Sequence, residues 1–404
     1  MNWKRQVTTS ISITGALLAF GLGSNQVAAE NIRVGEIHSF STAAAFAGPS
    51  KNGSELALEQ INAKGGVLGR KLELVYRDDA GKPGNAVLAA EELRTKEKVT
   101  MLSGTLFSHI GLAVSDYAKQ NKILFMASEP LTDAIVWSKG NHYTFRIRPS
   151  TYMQASMLAA EAAKTTAKRW AIIAPNFEYG KSVVAAFKER LSALRPDVVF
   201  VGELWPALDK VDAGAAVQSI EGMKPDGIFN AQFLGPNNQF IREGLTRNLF
   251  KGRVGIAPLL GEPDYLELLG GDIPEGWIVT GGPPDDVKTP EYIAFANAYK
   301  AKYGKAPYMG SLTGYVTVQA IAAAMTKAGS TDTEKMIAAL KGMKLDTPLG
   351  PIAFREIDHQ STMGAWVGKL KKVDGKGKLV DSYYAKGEDF QPSDDVVRKL
   401  RPKD

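Results

Sequence analysis

Hydroxyl side chains and one imidazole gather in two short stretches of this chain, in a pattern suited to holding a small anion. Residues 103–109 read Ser-Gly-Thr-Leu-Phe-Ser-His, and residues 128–132 read Ser-Glu-Pro-Leu-Thr. Each stretch follows an apolar run, and residues 110–121 between them have helical apolar spacing. A strand, a helix and a second strand in that order form a βαβ unit. Its parallel strands bring both polar loops to the same sheet edge, where open α/β sheets place ligands. Hydroxyls together with the free N–H groups of a helix start suit a carboxylate.

The elements that must position these loops begin after a leader. Lys4 and Arg5 precede an apolar run over residues 11–23, and Val27-Ala28-Ala29 form a small-x-small cleavage site. That three-part pattern predicts a secretory signal peptide over residues 1–29, too short in its apolar part for the ~20 residues of a membrane span. A free periplasmic protein is the expectation. The chain has no cysteine, so disulfides and a lipid-anchored cysteine are excluded.

Removing 29 residues from 404 leaves 375, more than one hydrophobic core usually supports, so two domains are expected. The formal charge of +6 falls to +4 without Lys4 and Arg5, and no block of Lys and Arg is dense enough to track phosphates. Nucleic acid is not an expected partner. Along the mature chain, apolar spacing alternates between strand and helix: a strand at 31–38, a hydroxyl-rich loop at 39–49, a helix at 52–61 and a strand at 71–79. The same alternation resumes after Pro149, which disfavours helix just before it. It predicts helices at 151–164, 180–194 and 213–223 and strands at 169–175, 198–204 and 227–232.

Several segments carry a resemblance. Asn62 to Arg70 with a strand ending Arg77-Asp78-Asp79, then Lys122-Ile-Leu-Phe-Met-Ala-Ser, Phe145-Arg-Ile-Arg-Pro-Ser, Asn176-Phe-Glu-Tyr-Gly and Pro348-Leu-Gly-Pro-Ile-Ala-Phe, occur in this order. The chain resembles the Leu/Ile/Val-binding type of periplasmic binding protein, the receptor component of ABC importers for branched-chain amino acids and related ligands. The resemblance implies an α/β fold of two doubly wound parallel-sheet lobes joined by three hinge crossovers, with the ligand cleft between them. Lobe one is expected from residues 30–148 and 281–362, and lobe two from 149–280 and 363–404. It further implies a monomer, a membrane permease as partner and an ATPase on separate chains.

The resemblance also implies site residues. Ser108 stands where the family holds the ligand carboxylate with a hydroxyl and helix-start amides; a plain helix-capping serine is the competing role. His109 beside it could donate to a carboxylate or simply lie on the helix surface. Ser128, Glu129 and Thr132 occupy a second loop that presents polar groups, with Pro130 leaving the facing hydroxyl open. Tyr179 matches a family aromatic that closes over the ligand, and Phe233 stands at the place of a second, usually tyrosine. Phe46 and Phe107 are expected as further walls, with core packing as the alternative. The acidic residue that pairs a ligand ammonium in the family is expected on or near Pro258 to Leu260, where this chain is apolar. Leu260 is therefore expected in the pocket, and Glu262 only if the loop shifts.

An unpaired ammonium in a closed cleft is strongly disfavoured, so an apolar or aromatic carboxylic acid, benzoate- or phenylpropenoate-like, is the expected ligand. A branched-chain or other hydrophobic amino acid is the alternative, decided by whether Glu262 enters the cleft. A sensory ligand-binding protein is a further alternative. Enzymatic signatures fail: Gly180-Lys181-Ser182 lacks the earlier phosphate-loop glycine, with Pro175 in its place. No nucleophile elbow or cysteine nucleophile occurs, and His38, His109, His142 and His359 lack metal-ligand spacing. Neither cofactor nor metal is expected.

Overall fold

The computed structural model describes residues 30–285 and 287–403, together with Met1, Trp3 and Gln6. The rest of the expected signal peptide lies outside the described residues. The first lobe opens with β1 (Ile32–His38), α1 (Ala44–Ala63), β2 (Leu72–Asp78), α2 (Pro83–Thr95), β3 (Met101–Gly104), α3 (Ser108–Asn121), β4 (Phe125–Ala127) and β5 (Thr144–Arg146). The second follows with α4 (Thr151–Ala162), β6 (Arg169–Ile173), α5 (Glu178–Leu194), β7 (Val199–Leu204), α6 (Ala213–Met223), β8 (Gly227–Asn230), α7 (Leu234–Thr246), β9 (Val254–Gly261), α8 (Pro263–Leu269) and β10 (Ile278–Gly281). Then come α9 (Pro290–Tyr303), α10 (Met309–Ala328), α11 (Thr333–Leu340), the hairpin β11 (Lys344–Thr347) and β12 (Gly350–Ala353), the strands β13 (Ala365–Val373) and β14 (Lys376–Ala385), and α12 (Asp394–Leu400).

Two sheets result. The first is a parallel sheet in the order β2-β1-β3-β4-β5, and the second runs β14-β13-β10-β9-β8-β6-β7. In the second, β6 to β10 are parallel, while β13 and β14 add an antiparallel edge. One apolar cluster of the first lobe joins its sheet to α1, α10 and α11, and another joins it to α2 and α3. The fold is thus α/β, two parallel-sheet lobes with a cleft between them.

The lobes meet in a zipped hinge. Arg146 donates from Nε to Gln360 Oε1 at 2.5 Å and from Nη1 to the Leu131 carbonyl at 2.9 Å. Gln360 Nε2 donates to the Arg148 carbonyl at 2.9 Å, and the Ser361 hydroxyl reaches the Ile147 carbonyl. The segments leaving β5 and entering β13 are therefore tied side by side, and the third passage leaves β10 toward α9.

Two findings differ from the sequence expectation. The hydroxyl-rich loop expected over 39–49 becomes helical from Ala44, with Pro49 inside α1. A proline there removes one helix bond, but Ala47, Pro49, Ser50 and Gly53 are all buried, so tertiary packing overrides the local preference. At the other end α12 returns to the first lobe instead of remaining with the second. Val397 is buried in the cluster of Ile135, Val136 and Trp137, and Arg401 donates to the carbonyls of Val136 and Asn141 at 2.7 and 2.8 Å.

Candidate functional site

Strand carboxyl ends from both lobes converge on one cavity. It is lined by Phe46 from α1, by Leu106, Phe107 and Ser108 after β3, and by Glu129 and Leu131 after β4. The second lobe supplies Phe177 and Tyr179 after β6, Phe233 and Leu234 after β8, and Leu259, Glu262 and Tyr265 around the end of β9; Arg148 enters from the hinge. The centre of a water-sized sphere fits over about 60 Å³, against the roughly 10–15 Å³ that one water needs. The cavity therefore accepts a small ligand.

Aromatic rings close it. Phe177, Tyr179 and Phe233 form a trio with centroids 5.5 to 6.0 Å apart. Across the cleft, Phe46 meets Tyr265 at 5.2 Å and Phe107 meets Phe233 at 6.3 Å, distances typical of aromatic pairs. Backbone strain gathers on the same rim: Thr105, Leu234 and Leu259 have φ of +63°, +59° and +67°. Such residues cost about 1–3 kcal/mol each and cluster where surrounding structure holds a site.

The cavity's charged groups bind one another. Arg148 Nη1 donates to Glu129 Oε2 at 2.9 Å and Nη2 to Glu262 Oε1, so a hinge guanidinium joins a first-lobe carboxylate to a second-lobe one. Side-chain exposure is 8% for Arg148, 3% for Glu129 and 6% for Glu262. Burial raises the Glu262 carboxyl to about 7 against the pull of Arg148, and raises Glu129 for the same reason. Burial works against the Arg148 charge, yet Glu262 and Glu129 outweigh it and hold the guanidinium protonated. Asp264 nearby is pushed well above the usual carboxylate range, first by burial and then by Glu262.

The sequence-predicted residues divide. Phe46, Phe107, Ser108, Glu129, Tyr179 and Phe233 line the cavity. Ser108 is the first helical residue of α3 rather than its cap, and its Oγ accepts the Thr132 N–H at 3.2 Å. His109 lies outside the lining, against the rings of Phe107 and Phe177. Ser128 is buried away from the cavity, and Thr132 Oγ1 donates across the cleft to Glu178 Oε1 at 2.6 Å. Leu260 is buried in the second-lobe core, and its neighbour Leu259 faces the cavity instead. The cause is a register shift between β9 and β10 ahead of Gly261, with Leu259 in the left-handed region. From Ala257 to Gly261 β9 advances four residues while β10 advances two from Val279 to Gly281, so β9 bulges by two residues in the stretch that holds Leu259. The same turn, with the Glu262 N–H on the Leu259 carbonyl at 2.8 Å, brings Glu262 into the cleft.

Leu106, Leu131, Arg148, Phe177, Leu234, Leu259 and Tyr265 were not named beforehand as lining residues. Arg148 had one visible signal, a second arginine in Phe-Arg-Ile-Arg-Pro where an extended hinge was expected.

Two lobes and an aromatic cleft at their strand ends define a solute-binding protein. The model of the periplasmic binding protein family matches residues 31–378, and this chain belongs to that family. It is 30% identical over 320 residues to the Leu/Ile/Val-binding protein BraC3 of Rhizobium johnstonii, covering 78% of this chain and 84% of that one. The leucine-specific-binding protein of Salmonella typhimurium is 27% identical over 360 residues, 87% of this chain and 93% of its own. A solute-binding protein of an ABC transporter from Rhodopseudomonas palustris BisB5, solved in complex with 3,4-dihydroxybenzoic acid, superposes with a TM-score of 0.79 at 25% identity, covering 88% of this chain and 98% of that one. The protein is a solute-binding receptor of the ABC transporter type and not an enzyme.

Proposed function

We propose that this receptor takes up a small apolar or aromatic carboxylic acid, benzoate- or phenylpropenoate-like, in the periplasm and delivers it to the permease of an ABC importer. One observation carries the reading: six aromatic side chains line the cavity, and its charged side chains among the described residues, Glu129, Arg148 and Glu262, are bonded to one another. A flat apolar ligand matches those walls, and Ser108 at the start of α3 offers a hydroxyl beside the helix-start amides for its carboxylate. The dihydroxybenzoate complex of the Rhodopseudomonas palustris relative supports the same ligand class. The ligand settles first on the Ser108 side, and Tyr179 and Phe233 close from the second lobe, which shifts the protein toward its closed form. The receptor works as a monomer after loss of residues 1–29.

A hydrophobic amino acid is the second reading, favoured by Glu262 on the cavity wall and by the named ligands of the Rhizobium and Salmonella relatives. Thermal midpoints with a panel of aromatic acids and hydrophobic amino acids separate the two. A ligand at 100 times its dissociation constant adds about 2.7 kcal/mol. Midpoints raised by benzoates or phenylpropenoates and not by leucine support the carboxylic-acid reading; the reverse pattern refutes it.

A further inference from the structure

Glu129 from the first lobe and Glu262 from the second both line the cavity, and two carboxylates facing one cavity are what a ligand ammonium would need. A cation is already there. Arg148 donates one nitrogen to each carboxylate, and all three groups are buried. A ligand ammonium that took Glu129 Oε2 or Glu262 Oε1 would have to displace a guanidinium whose backbone the hinge holds, since the Arg148 carbonyl is tied to Gln360 at 2.9 Å; Glu129 Oε1 has no partner among the described residues. A separation of the two would leave a buried charge unpaired, which is strongly disfavoured.

We propose that Arg148 is the specificity-determining residue of the cleft: it supplies from within the chain the cation that an amino-acid ligand would bring, and so selects carboxylic acids that lack an amino group. The inference rests on the carboxylic-acid reading and adds its cause. Two carboxylates and one guanidinium carry one formal negative charge in all, whereas two carboxylates alone would carry two and attract an ammonium. The aromatic walls are common to both ligand types and do not discriminate between them. Arg148 does.

The test uses ligand pairs that differ only by the ammonium: 3-phenylpropionate with phenylalanine, and 4-methylpentanoate with leucine. Binding is measured by calorimetry on the wild type and on Arg148→Met, with circular dichroism to establish folding. Arg148→Met is expected to gain affinity for the amino members by tenfold or more relative to their partners. A folded Arg148→Met that shows no such gain overturns the proposal, whatever the wild type binds. Should that variant fail to fold, Glu262→Gln decides the matter, because it removes one negative charge while Arg148 keeps Glu129. It is expected to tighten the desamino acids at least threefold over the wild type, and a loss of their binding overturns the proposal. Wild-type protein that binds leucine or phenylalanine more tightly than the desamino partners contradicts the carboxylic-acid reading itself, a result distinct from a failure in the variants.

Discussion

Tyr179 shows how a single side chain can be poised for a ligand. Its ring packs in the aromatic trio, while its buried hydroxyl has no hydrogen-bond partner among the described residues. An unsatisfied buried hydroxyl is a cost of about 1–3 kcal/mol, which a ligand acceptor removes. Tyr179→Phe is therefore expected to leave the ligand-free midpoint unchanged or raised and to weaken carboxylate binding about tenfold; equal affinity in the two proteins would remove Tyr179 Oη from the site. A second residue sets a pH dependence. Burial raises the Glu36 carboxyl to about 8, opposed by the Ser54 hydroxyl at 3.3 Å. A carboxyl raised on folding contributes stability that is full below about 4.5 and lost as pH rises through its folded value. Stability should decline from pH 5 to pH 8, with Glu262, raised to about 7, contributing in the lower part. His38, lowered to about 4 by burial, acts oppositely, losing its contribution as pH falls from about 6.5 through 4. Urea midpoints for Glu36→Gln should fall less between pH 5 and 8 than those of the wild type, and an undiminished fall would show that Glu36 titrates as in the unfolded chain.

Among the elements, α1 and α10 make the closest approach that matters to the site, because α1 carries Phe46. A Cβ on Gly314 would stand 2.1 Å from the Ser50 carbonyl oxygen, and one on Gly53 would stand 1.8 Å from that of Ser311. Both obstacles are backbone and cannot rotate away. Gly314→Ala should cost about 1–3 kcal/mol as overpacking, whereas Gly48→Ala in the same α1, with nothing within 4 Å, should be neutral or stabilising by up to about 1 kcal/mol. Equal melting of the two variants would contradict this packing. Strand and helix order was legible in the sequence wherever apolar spacing was regular, as in β1, β6 and α6. It was not legible where packing overrode local preference, as at Pro49. The site followed the same division. Ser108 sits in a loop after a strand that the alternation reveals and Tyr179 was named from the family resemblance, whereas Leu259 depends on a register shift and a left-handed φ that spacing does not encode. Arg148 was hidden because its role depends on two carboxylates 19 and 114 residues away.

For the whole molecule, two latches flank the cavity and hold the lobes together. On one side Thr132 donates to Glu178; on the other the Tyr308 hydroxyl, just ahead of α10, meets Glu267. Each joins the first lobe to the second, so each is lost on opening. Glu178→Ala should lower the closed population and weaken ligand binding by about threefold to tenfold through that population alone. X-ray scattering should report a larger radius of gyration for the ligand-free variant than for the ligand-free wild type; identical radii with identical affinities would exclude the latch. Closure around an apolar carboxylate is the central claim, and calorimetric titration of the protein with 4-hydroxybenzoate, cinnamate and leucine tests it most directly. Saturable heat with an aromatic acid and none with leucine is the predicted result. Saturable heat with leucine alone would contradict it and make Glu262 an ammonium partner.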